Sequence, residues 1–377
     1  MFKKFVKNID WVLLAATAPI ILAGLITMNT FGEAGRSYFF FRQILWLVIA
    51  LGIFFAFSFI DWRFLKSGHL LFALFVSSLA FLGMLFVFGT RFKGALSWFN
   101  LGIFSAQPSE PVKLLVILVL AKYFSRRHVE IADVRHIIVS GVYAFLPAAL
   151  IFFQPDFGSA VIVGLIWLGM ILVSGVSKKH LLLVILMGAV IFAFSWFYLL
   201  EPYQKMRVKT FVNPFIDPQG AGYNALQSMV AVGSGQLLGK GVGFGTQSRL
   251  EFLPEYQTDF IFAAFAEEWG LVGVSLLFFF WGLLIWRILK NASLGQGNFE
   301  KFFGLGLAIF LMAHFAVHTG MNVGVLPVTG VSMPFMSYGG SHLITIFAGL
   351  GILMGMRRYA SNIQLDEKNP VANLLGS

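Results

Sequence analysis

A chain of 377 residues that is 58% apolar and 12% charged, with mean hydropathy +0.82, falls outside the soluble globular class, where about 25% of residues are charged. Its net charge of +10 would suggest nucleic acid in a soluble protein, but here Lys and Arg flank apolar runs, as the positive-inside rule requires of membrane spans. With no cysteine in the chain, disulfides, iron–sulfur clusters and thiol catalysis are excluded.

Apolar runs near 20 residues long predict an all-α polytopic membrane protein of about ten transmembrane helices with both termini cytoplasmic. The first spans are expected over 11–27, 43–59 and 69–88, followed by a polar stretch at 89–111 and a short span at 112–124. Spans at 137–153 and 158–173 flank the corner QPDF, and another covers 181–199. The longest polar stretch, 201–257, is expected to be a large extracytoplasmic loop; spans 259–284, 303–325 and 343–356 follow it, and 359–377 reads as a short cytoplasmic tail. All of this reads as a single transmembrane domain, 1–377. The basic and apolar beginning is expected to be a first span rather than a cleaved leader, because further spans follow at once. Most of the 27 Lys and Arg fall on the side that would hold both ends, which sets the orientation.

The outer side is still basic. Arg91, Lys93, Lys113, Lys205, Arg207 and Lys240 lie there. Snorkelling accounts for any one of them. As a group beside carboxylates they point to an anionic ligand such as a diphosphate head group.

The run GKGVGFG at 239–245 lacks the GK[ST] ending and the strand–helix setting of a phosphate loop, so a nucleotide site is not expected there. His314 and His318 stand i, i+4 on one span, as a metal pair or as packing, with no third ligand apparent. Asp156 follows Pro155 and is expected to cap the next span. Glu110 and Lys113 share a helix face, either as a local ion pair or as part of a polar cavity.

The stretch LPEYQTDFIFAAFAEEWG, 253–270, carries carboxylates into an apolar helix, and an ionisable residue at membrane depth is a functional hypothesis by default. Thr258 and Asp259 could be its N-cap and first-turn acid, favourable against the helix dipole. Glu267, eight residues on, is about 12 Å along and about 80° around, too far to share one ion with Asp259. Asp259 alone at an interface is enough for a general base.

These residues resemble the signature of the SEDS family (shape, elongation, division and sporulation proteins), with wording closest to its RodA branch. AQPSEPVKL, QPDFGSA, NPFIDPQGAGYNALQS, GSGQLLGKGVGFGTQS and LPVTGVSMPFMSYGGS agree as well, in order along nearly the whole chain. The resemblance implies an inverting peptidoglycan glycosyltransferase in the bacterial inner membrane. Such an enzyme polymerises lipid II into β-1,4-linked glycan for cell elongation and rod shape. It places the catalytic carboxylate on Asp259, and it implies a class B penicillin-binding protein as transpeptidase partner, a divalent cation (Mg or Mn) and no organic cofactor. Glu110, Lys113, Asp156, Arg91, Lys93, Arg207, Lys240 and Ser337 are the expected substrate-binding residues. Lipid II and membrane lipid, not nucleic acid, are the expected partners. A lipid II flippase, with polar residues through the full membrane depth, is the main rival; a recruiting scaffold is a third reading.

Overall fold

Apolar runs broken by short polar corners can satisfy their backbone away from water only as helices. The computed structural model describes residues 9–368 apart from 31–35, 93–94, 101, 103–104, 128–133 and 251. Its helices are α1 (Trp11–Thr30), α2 (Arg36–Phe59), α3 (Gly68–Phe88), α4 (Ser109–Arg127), α5 (Val134–Phe153), α6 (Phe157–Ser174) and α7 (Lys178–Tyr198). After these come α8 (Pro202–Val212), α9 (Ala221–Ser234), α10 (Thr246–Arg249), α11 (Ile261–Ser293), α12 (Asn298–Asn322) and α13 (Gly340–Lys368). The polar stretch between α3 and α4 is a small antiparallel sheet, β1 (Thr90–Phe92), β2 (Ala95–Asn100) and β3 (Ser105–Ala106), paired in that order.

Among the described residues, nine helices are long and apolar enough to cross a membrane; α4, at the place of the remaining expected span, carries Glu110, Lys113, Lys122, Arg126 and Arg127 and is not one of the nine. The sequence placed it at 112–124, but it starts at Ser109 and ends at Arg127, carrying Glu110 and Lys113 inside the helix. It packs against α3, α5, α6, α12 and α13. Val116, Ile117, Leu118 and Val119 are buried on successive faces, as in a helix that is apolar all round and sits in the interior. By contrast α7 presents Leu182, Ile185, Leu186, Val190 and Phe194 outward, the lipid-facing pattern. The expected tail is partly helical, since α13 runs on to Lys368. The large loop holds α8, α9 and α10.

The helix expected from Asp259 begins at Ile261 and is broken at Gly270 (φ 61°, ψ −166°). The Leu271 and Val272 N–H groups that the break frees donate to the carbonyls of Gln236 and Leu237 (2.9 and 3.1 Å). A Cβ on Gly270 would meet the Gly239 nitrogen at 2.3 Å, so two chains cross where neither tolerates a side chain.

At the N-terminal face Asp10 ties three helices. Its Oδ1 accepts from the N–H groups of Val12 and Leu13, capping α1 (3.1 and 3.2 Å). Its Oδ2 accepts from Arg287 Nη2 (2.6 Å) and Asn291 Nδ2 (2.7 Å) of α11, and Arg357 of α13 lies at 3.3 Å. Burial alone would push this carboxyl up; hydrogen bonds from Arg287, Asn291 and Leu13 outweigh it and hold it below the usual range. A carboxylate lowered on folding stabilises above its unfolded value of about 3.9 and loses that contribution as pH falls through the folded value. Acidification from about pH 6 to about pH 3 should therefore shrink the difference in Tm between wild type and Asp10→Asn, measured in detergent.

Candidate active site

Asp259 does not sit in the helix. The turn before α11 is closed by the Glu255 carbonyl, which accepts from the N–H groups of Thr258, Asp259 and Phe260 (3.0, 3.1 and 3.3 Å). Glu255 adopts φ 55°, a left-handed conformation that costs a non-glycine residue about 1–2 kcal/mol. The Thr258 hydroxyl donates back to the Glu255 carbonyl at 3.3 Å, so Thr258 is not the N-cap the sequence suggested. The half-buried Asp259 is a turn residue, not a first-turn acid.

The helix start is capped from outside. Asn322, fully buried at the end of α12, accepts from the Ala263 N–H with Oδ1 (3.2 Å). With Nδ2 it donates to the carbonyls of Asp259 (3.0 Å) and His318 (2.8 Å), while its own carbonyl accepts from Ser228 Oγ (2.8 Å). Three elements meet on one amide. Asn322→Ala should orphan the Ala263 N–H and the Asp259 carbonyl at about 1–3 kcal/mol for each buried group, read as a lower Tm in detergent.

His314, His318 and Asn322 stand at i, i+4 and i+8 on α12 and so form one polar stripe. The Nδ1 atoms of His314 and His318 donate to the carbonyls of Ser332 (3.0 Å) and Val331 (2.7 Å). These carbonyls belong to the non-helical segment between α12 and α13, which is tolerated at membrane depth because protein buries it. In the same segment the Ser337 hydroxyl donates to the Thr258 carbonyl (2.7 Å) and accepts from the Met333 N–H (2.8 Å). Tyr338 N–H reaches the Gln257 carbonyl (2.9 Å). Ser337 thus braces the backbone beside Asp259. Gly330 also lies close: a Cβ there would approach Asp259 Oδ2 at 3.5 Å.

About 12 Å along α12 from Asn322, His314 faces the second polar group. Lys113 Nζ donates to Glu110 Oε1 (2.7 Å) and lies 3.4 Å from His314 Nε2. Glu110 Oε2 accepts from His342 Nδ1 at the start of α13 (2.7 Å). All four side chains are buried. Of the two sequence readings of Glu110 and Lys113, the local ion pair holds, and it is built into an interior cluster. A cavity of about 430 Å³ adjoins it between α2, α3, α4 and α13, walled by Trp46, Phe81, Pro111, Leu115 and Ile344, with Gln107 and Ser341 at its polar edge.

The other expected residues lie elsewhere. Asp156 is the N-cap of α6, accepting from Ser159 N–H (3.1 Å), and also accepts from Gln107 Nε2 (3.1 Å). Lys240 donates to Glu267 Oε1 and Thr246 Oγ1 (both 2.8 Å). Glu267 also takes the Gln247 N–H (3.1 Å) and the Ser248 hydroxyl (3.2 Å), and Glu268 takes the Gly243 N–H (2.6 Å). The glycine run at 239–245 is therefore folded round carboxylates of α11, not round a phosphate. Arg207 is half-buried on α8 with its guanidinium 5.9 Å from the Tyr203 ring, and Arg91 is exposed on β1. Lys93 lies outside the described residues.

Sequence reasoning missed His342 and Asn322. The i, i+4, i+8 spacing of His314, His318 and Asn322 on an apolar helix was the available signal for the second; His342 carries no local signal beyond its burial in the partnership with Glu110.

Residues 8–362 match the family described as Cell cycle protein, FtsW/RodA/SpoVE. The chain is similar to Peptidoglycan glycosyltransferase MrdB of Escherichia coli K12, 42% identical over 272 residues, covering 72% of this chain and 73% of that protein. Stage V sporulation protein E of Bacillus subtilis is 33% identical over 361 residues, covering 93% and 97%. Among solved structures, one of a peptidoglycan synthase complex that coordinates polymerization and crosslinking aligns with a TM-score of 0.79 at 31% identity, covering 93% of this chain and 98% of that one. The rod shape determining protein RodA of Thermus thermophilus aligns with a TM-score of 0.69 at 29% identity, covering 93% and 97%.

Proposed function

Because this chain belongs to the FtsW/RodA/SpoVE family and is a multi-pass peptidoglycan glycosyltransferase of the bacterial inner membrane, we propose that it polymerises lipid II at the outer face, with Asp259 as general base. The observation that carries this reading is the placement of Asp259. It is a half-buried carboxylate in a turn pinned by Asn322 and Ser337, at the end of α12 opposite Glu300. Those two ends are about 33 Å apart, the thickness of a bilayer core, so Asp259 stands where a lipid-anchored head group presents itself.

The chemistry follows from stereochemistry. Lipid II holds its sugar α-linked to a diphosphate, and the product is β-1,4-linked, so one in-line displacement inverts the centre. Asp259 accepts the proton of the acceptor 4-hydroxyl as that oxygen forms its bond to donor C1. The C1–oxygen bond to the diphosphate breaks, and the electron pair leaves with the lipid diphosphate. This anion needs charge stabilisation rather than a proton. Arg207 and Lys205 on α8, both half-buried, are the nearest in kind, since Lys240 and Lys113 are already engaged with Glu267 and Glu110. The apolar cavity beside α4 suits a polyprenyl tail.

A divalent cation belongs to the same reading, and the described residues offer Glu110, His314 and His342 as a ligand group. That group does not fit Mg, which takes oxygen ligands, and the Lys113 ammonium already lies against Glu110 and His314. No step is routed through a metal at this site. The transpeptidase partner is a class B penicillin-binding protein, a reading supported by the similarity to a synthase complex that joins polymerization and crosslinking. The flippase reading is disfavoured because the polar groups mapped above pair with each other inside the bundle.

The test is glycan synthesis by the purified chain from lipid II, alone and with its transpeptidase. Long strands are expected. Lipid II crossing liposome bilayers without strand formation would replace polymerase by transporter.

A further inference from the structure

The large outer loop carries exposed apolar side chains that its own fold does not cover. Leu237 and Leu238 are 65% and 80% exposed, and Val242 and Phe244 stand exposed a few residues on. Between Gly235 and Ser248 the one ionisable residue is Lys240, and its ammonium donates to Glu267 Oε1 and Thr246 Oγ1. The backbone N–H groups of Gly239, Lys240, Gly241, Gly243 and Phe244 all donate to protein acceptors. The tip of this loop is therefore apolar outside, with its charge and much of its backbone satisfied within. Non-helical chain needs that arrangement at the edge of a bilayer, where water no longer supplies the partners.

Hydrogen bonds fix the depth of that tip. The N–H groups of Leu271 and Val272 donate to the carbonyls of Gln236 and Leu237 (2.9 and 3.1 Å), so the tip sits on the outer end of the 271–293 half of α11. Toward the other end of that half, Arg287 pairs with Asp10 at the start of α1, at the inner boundary of the membrane. Leu271 lies sixteen residues from Arg287, at most about 24 Å along a helix. The hydrocarbon core is about 30 Å thick, so Leu271 and the tip bonded to it reach the outer leaflet. Val272, Leu276 and Phe279 are all exposed; at i, i+4 and i+7 they form the lipid-facing stripe of the same helix. Leu237, held by the Val272 N–H, continues that stripe at its outer end.

We propose that Leu237 and Leu238 insert into the outer leaflet beside Val272, making the tip 236–244 a lipid contact that moors the long outer loop to the membrane. The partner is the acyl region of the bilayer itself, which takes apolar side chains presented at the interface. Mooring at this point holds the loop against α11, the helix that follows the Asp259 turn, rather than leaving it to swing above the surface. The assignment does not depend on which reaction the protein performs, because it rests on depth, exposure and backbone hydrogen bonds.

The chain has no cysteine, so a single introduced cysteine reports its own surroundings. The experiment labels Leu238→Cys with the fluorophore NBD in the full-length chain, held in nanodiscs of phosphatidylethanolamine and phosphatidylglycerol. Leu186→Cys on α7 is the lipid reference and Lys301→Cys near the inner start of α12 the water reference, both at exposed positions. Nitroxide-bearing lipid and aqueous iodide are the two quenchers. Val242→Cys replaces Leu238→Cys if the latter does not give a monodisperse protein. The probe at the tip should be quenched by nitroxide lipid as strongly as the Leu186 probe, and should lose most of the iodide quenching seen at Lys301. Iodide quenching equal to that at Lys301 would overturn the proposal, whatever the nitroxide does, by placing the tip in water. Shielding from both quenchers would overturn it equally, by placing the tip against protein.

Discussion

Asp259→Asn should give a folded protein that makes no glycan strands from lipid II. Asn keeps the size and most of the hydrogen bonding of Asp, and the contacts that pin this turn run through the backbone: the Asp259 carbonyl to Asn322 Nδ2 and the Asp259 N–H to the Glu255 carbonyl. These backbone contacts survive the change, so the variant should still fold and stay monodisperse in detergent. Loss of a general base removes about 10²–10⁴-fold in rate, enough to bring strand synthesis to background on a gel of labelled product. Equal strand lengths from mutant and wild type would reduce Asp259 to a turn residue, and the base would have to be sought elsewhere.

The second large effect lies in the interior and reads out in stability. Lys113→Met leaves the Glu110 carboxylate buried with His342 as its remaining partner, and breaking a buried pair on one side costs about 3–5 kcal/mol. Exposed pairs of the same type are worth about 0–1 kcal/mol, and Lys113 is only 1% exposed, so the larger figure applies. Glu110→Gln in the same chain removes the stranded charge while keeping an oxygen for the His342 N–H. The double variant should therefore recover most of the lost Tm, since replacing both partners of a buried pair is often close to neutral. A Lys113→Met chain as stable as wild type would mean that water reaches this pair.

Much of this architecture could be read from the chain before any coordinates. Apolar runs located every spanning helix because bilayer thickness fixes their length; the ends were less legible. The start of α4 was placed three residues too late because Ser109, Glu110 and Pro111 read as the end of the polar stretch before it. Glu110 is interior because Lys113 and His342 both bond to its carboxylate. Asp156 was legible as a cap because capping is local. Lys240 was not legible as a partner of Glu267, nor Ser337 as a brace for Thr258, because both depend on contacts 27 and 79 residues away in the chain. Long-range polar contacts leave no period in a sequence. Asn322 shows in the sequence only as the third position of the i, i+4, i+8 polar stripe; its bonds to Ala263, Asp259 and Ser228 do not.

The crossing at Gly239 and Gly270 has a bearing on biogenesis. The N–H groups of Lys240 and Gly241 donate to the Glu267 and Glu268 carbonyls (2.9 and 3.0 Å). Lys240 Nζ and the Gly243 N–H need the carboxylates of the same two residues. Every one of these partners is made by the ribosome after the loop itself. The segment from Gly235 to Ser248 therefore waits, translocated and unshaped, until α11 has entered the bilayer, and only then closes over it. A nascent chain arrested before Glu267 emerges should be cut by external protease within this segment, and one arrested beyond α11 should resist.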